Sequence, residues 1–156
     1  MTPDRDWFTN ENCSVARTLE IIGERWTMLV LREAFYRVRR FEDFQRNIGV
    51  ARNILSARLR TLVEHGILER VKYQDRPPRF EYRLTEKGID LYPILIALMQ
   101  WGDRHAGVET GPPVVLEHRG CGKQTRPTLV CSECGEPIGA RDMRAKRGPG
   151  AFLKEA

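Results

Sequence analysis

The sequence predicts a mainly α protein of the α+β class, and three observations carry that reading. Apolar residues recur at helical spacing from residue 13 to about 65, strand-like alternation is confined to residues 67–84, and a second apolar-rich helical stretch follows. The texture then changes once. Gly107, Gly111, Pro112 and Pro113 break the pattern, and the remainder is rich in Gly, Pro, Arg and Cys.

Ser14 to Ile22 carries Val15, Leu19 and Ile22 at helical spacing and stops at Gly23. Arg25 to Tyr36 is broadly apolar through Trp26, Leu29, Val30, Ala34 and Phe35, which makes it central to the core. A short third helix sets Phe41, Phe44 and Ile48 on one face. Gly49 permits a sharp turn into a fourth helix from about Val50 to His65, closed by Gly66. Ile67–Tyr73 and Arg79–Leu84 read as strands around an Asp75-Arg76-Pro77-Pro78 tip, with Phe80, Tyr82 and Leu84 facing inward. Thr85 is placed to N-cap a long final helix ending near Arg104. A short helix, a glycine turn, a second helix and a hairpin with a charged tip make the winged helix-turn-helix plan. The expected division is an N-terminal arm (1–12), the winged domain with its last helix (13–107), a small Cys/His-bearing extension (108–143) and a flexible tail (144–156).

At 156 residues the chain has room for one domain and an appendage. Its 41% hydrophobic and 30% charged residues exclude a disordered chain. No apolar run approaches the roughly 18 residues that span a bilayer, and the start has acids where a secretory signal carries Lys or Arg. A soluble, cytoplasmic protein with no membrane partner is expected. The net charge of +5 is unevenly spread: between Arg32 and Arg60 eight arginines stand against Glu33, Glu42 and Asp43, an excess as large as that of the whole chain. Arginine's planar fork suits phosphate oxygens and guanine edges. A solvated basic face is the plainer alternative.

On a helical wheel from Ala51, Leu55, Leu59 and Leu62 fall on one side of the fourth helix. Asn53, Ser56 and Arg60 fall opposite, with Ala57 at the edge. The leucines anchor the helix, and the opposite stripe offers duplex DNA a reading edge. Asn pairs with adenine, Arg with guanine, Ser with base or phosphate, and Ala touches a thymine methyl. Arg52, at the helix start, suits a flanking phosphate, whereas Arg58 turns towards the body and is expected to pack or pair internally. Arg76 and Arg79 flank the stiff proline tip as minor-groove or backbone contacts, and Arg39 and Arg40 are further phosphate candidates. An ordinary surface helix would more often carry Glu/Lys pairs than this acid-poor stripe.

Along the last helix, Leu91, Tyr92, Ile94, Leu95, Ile96, Ala97, Leu98, Met99 and Trp101 cover roughly 250°, against the roughly 100° a core-facing helix needs. A partner subunit packed on Leu91, Ile94, Leu95, Leu98 and Trp101 accounts for the excess, giving a homodimer with two reading helices about one duplex turn apart. Burial under the C-terminal tail is the competing explanation.

The segments CSVARTLEIIGERWTMLVLREAF, RRFEDFQRN, ARNILSARLRTLVEHGILERVKY, DRPPRFEYRLTEKG and LIALMQWGDRH together resemble the HxlR-type family of bacterial winged-helix transcriptional regulators. The match runs from about Cys13 to His105. The resemblance implies a dimeric, sequence-specific regulator on a pseudo-palindromic operator, expected to repress, with the dimer built from the first and last helices. It also implies that Asn53, Ser56 and Arg60 lie on the recognition helix and Arg76 to Arg79 on the wing. The cysteine-bearing extension exceeds the family's minimal form, so its role does not carry over.

Two thiol features remain. Cys13 opens the family-like segment, and in some members a cysteine near this end resembles a switch for oxidants, quinones or aldehydes. A helix start favours thiolate, while simple packing is the plainer role. In the extension, His118-x2-Cys121 and Cys131-x2-Cys134 are each followed by Gly, with nine residues between the two pairs. One His and three Cys complete a closed, non-catalytic zinc site, with Pro127 to Val130 expected as a short strand between the pairs. Free thiols or a Cys131–Cys134 disulfide are the alternatives. The expectation is therefore one structural Zn2+ per chain and no other cofactor. A redox or metal-responsive thiol protein using the CxxC tail, or a protein-interaction module, are the competing functions. No nucleophile–base constellation or phosphate-cradling loop stands out, so no enzyme activity is expected.

Overall fold

In the computed structural model, which describes residues 13–107 and 109–151, the winged helix-turn-helix plan is present. The helices are α1 (Ser14–Ile22), α2 (Arg25–Phe35), α3 (Phe41–Ile48) and α4 (Arg52–Glu64), followed by strands β1 (Leu68–Gln74) and β2 (Arg79–Leu84). Then come α5 (Glu86–Ile89), α6 (Tyr92–His105), β3 (Leu116–His118) and β4 (Lys123–Thr125). The expected arm over 1–12 and the tail beyond 151 lie outside the described residues. Among the described residues no helix is long and apolar enough to cross a membrane. The chain divides into two compact units, 13–95 and 96–150, with the division inside α6.

Helix α2 is the hub of the first unit, as its nearly continuous apolar surface requires. Val30 and Leu31 are fully buried with Phe44 of α3 and Leu55, Leu59 and Leu62 of α4. Each such side chain contributes about 1.5–3 kcal/mol relative to exposure. Glu24 caps α2 by accepting the N–H groups of Trp26 at 2.9 Å and Thr27 at 3.2 Å, a carboxylate where the helix dipole favours one. Glu33, buried on the same helix, takes two hydrogen bonds from Arg32 at 3.0 and 2.7 Å on one oxygen, and one from Asn47 of α3 at 2.9 Å on the other. A buried carboxylate needs such partners, and the Asn47 bond pins α3 to α2.

The turn between α3 and α4 depends on Gly49, which sits in the left-handed region at φ 71° while its N–H donates to Gln45. Strands β1 and β2 pair antiparallel from Leu68↔Leu84 to Gln74↔Arg79, with an irregularity between Lys72 and Gln74. The Tyr82 N–H donates to the Arg39 carbonyl at 2.8 Å, tying β2 to the segment before α3.

The structure departs from two expectations. The long final helix is two helices: Thr85 caps only the four-residue α5 through the Gly88 N–H, and a turn at Asp90–Leu91 separates it from α6. Pro93 has no N–H to give to residue 89, so it breaks a continuous helix but is tolerated in the first turn of a new one. Gly88 also has a packing reason, since a Cβ there would lie 2.3 Å from the Ile67 carbonyl oxygen. In the extension the paired strands are 116–118 and 123–125, and only Val130 of the expected 127–130 strand makes a bridge, to Pro137. A strand was expected there from its place between the two ligand pairs, but Leu129 and Val130 are exposed, with no sheet face to pack on.

Candidate nucleic-acid interface

Helix α4 presents the two faces that its sequence demands. Leu55, Leu59 and Leu62 are at most 1% exposed, whereas Arg52, Asn53, Ser56 and Arg60 are all exposed and Ala57 is half-buried at the boundary. The polar edge is therefore open to a ligand along two turns of helix. Arg58 turns inward as expected: its Nε is 3.8 Å from the Glu24 carboxylate that caps α2, and it has no hydrogen-bond partner of its own. That pairing turns Arg58 away from the polar edge of α4.

Aromatic platforms hold two of the basic residues. The Arg52 guanidinium lies 4.6 Å from the centre of the Phe41 ring, linking the start of α4 to the start of α3. Arg40 lies 5.0 Å from the Tyr73 ring on β1. Stacking of this kind limits the rotamers of a long side chain and leaves its edge donors available. Tyr73 escaped the sequence reading, because a contact across 33 positions has no local signal. Arg39 is exposed beside Arg40.

The wing tip is braced by its own neighbours. Lys72 pairs with Asp75 at 2.7 Å, and the Gln74 side chain donates to the Arg76 carbonyl at 3.1 Å. Arg76 and Arg79 remain exposed on either side of Pro77 and Pro78. Among the described residues, no acidic partner within salt-bridge distance holds either guanidinium. The structure thus leaves two cations at the end of a stiff hairpin and a row of polar groups along α4.

The residues expected at a subunit interface divide. Leu91 packs against the core and Leu95 is half-buried, whereas Ile94, Leu98 and Trp101 are 39%, 52% and 63% exposed. On α1, Val15 and Leu19 are exposed as well.

The thiols are all free. Cys13 is half-buried at the N-cap of α1, where its side chain makes no capping bond. The Cys131 thiol is held below the ordinary thiol value by the backbone N–H groups of Cys134 and Glu133 and by the Cys134 side chain, against a small opposing effect of burial. Among the described residues no three His, Cys, Asp or Glu side chains stand together as a group that could hold a metal ion. His118 with Cys121, and Cys131 with Cys134, stand instead as two pairs, each on its own turn.

A winged helix-turn-helix with an open polar edge on its second helix and a basic wing defines the class of helix-turn-helix regulators. Residues 21–110 match the model of the HxlR-like helix-turn-helix family, and the chain belongs to that family. It is 52% identical over 146 residues to Rv3095 of Mycobacterium tuberculosis, named an HTH-type transcriptional regulator, covering 94% of this chain and 92% of that one. The crystal structure of PA1607, named as a transcription factor, matches with a TM-score of 0.77 and 42% identity over 87% of this chain and 95% of the other. The redox regulator HypR in its reduced form matches with a TM-score of 0.57 and 33% identity, over 60% of this chain and 94% of its own. With these relatives, the protein is a transcriptional regulator carrying a helix-turn-helix domain.

Proposed function

We propose that the protein is a sequence-specific regulator that reads duplex DNA in the major groove with α4 and steadies itself on the backbone with the wing. The observation that carries this reading is the open Asn53–Ser56–Arg60 edge on a helix whose opposite face is locked into the core by three leucines. Asn53 and Arg60 have the donor and acceptor patterns for adenine and guanine edges. Arg52, Arg39, Arg40, Arg76 and Arg79 supply charge to flanking phosphates, which fix register without carrying sequence. Ala57, at the margin of the edge, leaves room for close approach to a thymine methyl.

The acting form in this reading is a cytoplasmic homodimer that buries the exposed apolar residues of α6, principally Ile94, Leu98 and Trp101, and represses from a pseudo-palindromic operator. Selection of bound duplexes from a random pool tests it. The expected result is an enriched two-fold sequence with half-sites about one helical turn apart, bound far more tightly than single strands. Equal affinity for random duplex and single-stranded DNA would overturn it.

A second reading, thiol control of the same DNA-binding activity, is favoured by the likeness to HypR and by the uncapped Cys13 at the start of α1. Treatment with a disulfide oxidant is then expected to change operator affinity in the native chain and leave a C13S variant unaffected. An identical response in both would remove Cys13 from the mechanism.

A further inference from the structure

We propose that His118, Cys121, Cys131 and Cys134 hold one structural Zn2+ by drawing together two hairpin tips that share one backbone design.

The first tip lies between β3 and β4, where His118 closes the ladder opposite Lys123. The Cys121 and Gly122 N–H groups both donate to the His118 carbonyl, at 3.1 and 2.8 Å, and Gly122 is left-handed at φ 65°. The second tip lies beyond the Val130↔Pro137 bridge, with the Cys131 N–H bonded to the Glu136 carbonyl at 2.8 Å. There the Gly135 N–H donates to the Cys131 carbonyl at 2.9 Å, and Gly135 is left-handed at φ 75°. In both tips the first ligand accepts from a left-handed glycine four residues on, and the second ligand immediately precedes that glycine. The His118 ring is folded over its own tip, so that a Cβ at Gly120 would sit 2.9 Å from its Cε1. The repetition presents two ligand pairs in equivalent positions.

Among its described residues the extension is held by short ladders and hydrogen bonds, without a buried core. No residue from 109 to 150 is buried, and its two named strands have three residues each. Hairpins of that size without a hydrophobic face are marginal in water, and small scaffolds of this kind are held by disulfides or a metal. All three thiols here are free. Three thiolates and an imidazole select a borderline ion such as zinc over Mg2+ or Ca2+, and a four-ligand set leaves no open position for catalysis. Because no three of these side chains stand together as a metal-holding group among the described residues, loading requires the two tips to close on the ion, which couples metal binding to the fold of the extension.

The test uses the reduced full-length chain, stripped by a chelator and titrated with zinc chloride. The expected result is one zinc per chain, protection of three thiols from alkylation, and slower proteolysis of the extension on loading. Co2+ in its place should give the visible absorption of a tetrahedral thiolate site. C121S and H118A are expected to lose more affinity than the roughly 10–100-fold that an outer-shell change costs. H118C should retain the ion, and so should C13S. The proposal is overturned by no bound zinc, by a Cys131–Cys134 disulfide in its place, or by half a zinc per chain. Binding that survives H118A and C121S but is lost in C131S overturns it too, since the ion would then sit on one tip alone.

Discussion

Adjacent residues on α4 separate stability from recognition. Leu55 has no exposed surface and Ser56 next to it is exposed. Leu55→Ala is therefore expected to cost about 2–5 kcal/mol in chemical denaturation, with lost contacts and a residual cavity. Ser56→Ala should stay within about 0.5 kcal/mol of the native chain in the same assay, while weakening binding to the selected operator. A large stability loss for Ser56→Ala would contradict the open edge. These positions were legible in the sequence because the leucine spacing fixes the phase of the helix, and phase alone decides which side chains face out. The inward turn of Arg58 followed from the same wheel. The Arg40–Tyr73 stack and the Glu33–Asn47 bond did not, since both join elements distant in sequence and nothing local announces the partner.

At the scale of elements, the order of helices and strands from α1 to β2 was legible to within a residue or two. Each element there has a buried face that imposes a period, and glycines mark two turns: Gly49 and Gly66 both adopt positive φ. The break before α6 was missed although Pro93 was in plain view, because the apolar pattern runs uninterrupted across it. The extension was read less well for the opposite reason: with no buried face there is no period to read, and turn geometry alone sets its pairing. Helix α6 carries the subunit prediction. Replacing Leu98 and Trp101 together by Asp places charges where the proposed dimer buries apolar surface. Sedimentation should then show a monomer with near-native stability, and operator binding should weaken steeply. A double variant that remains dimeric would move the interface elsewhere, with the exposed apolar residues of α1 next in line.

For the whole molecule, two kinds of contact fall to different parts of one domain in the proposed function: bases to the Asn53–Ser56–Arg60 edge of α4, and phosphates to the wing, the arginines before α3 and Arg52 at the start of α4. Arg76→Ala should weaken specific and random duplexes alike and lower the slope of log affinity against log salt by about 1, as loss of one phosphate contact requires. The basic excess within residues 32–60 was visible in the sequence, but its division between internally paired and open arginines needed the fold. The most direct measurement is the ratio of operator to random-duplex affinity for the native chain and for Arg60→Ala at a fixed salt concentration. The account predicts that this ratio falls in the variant by the equivalent of about 1–3 kcal/mol, with the loss of discrimination confined to one base position in each half-site. An unchanged ratio, with both affinities reduced equally, would show that Arg60 touches only the backbone and that the proposed edge of α4 does not read sequence.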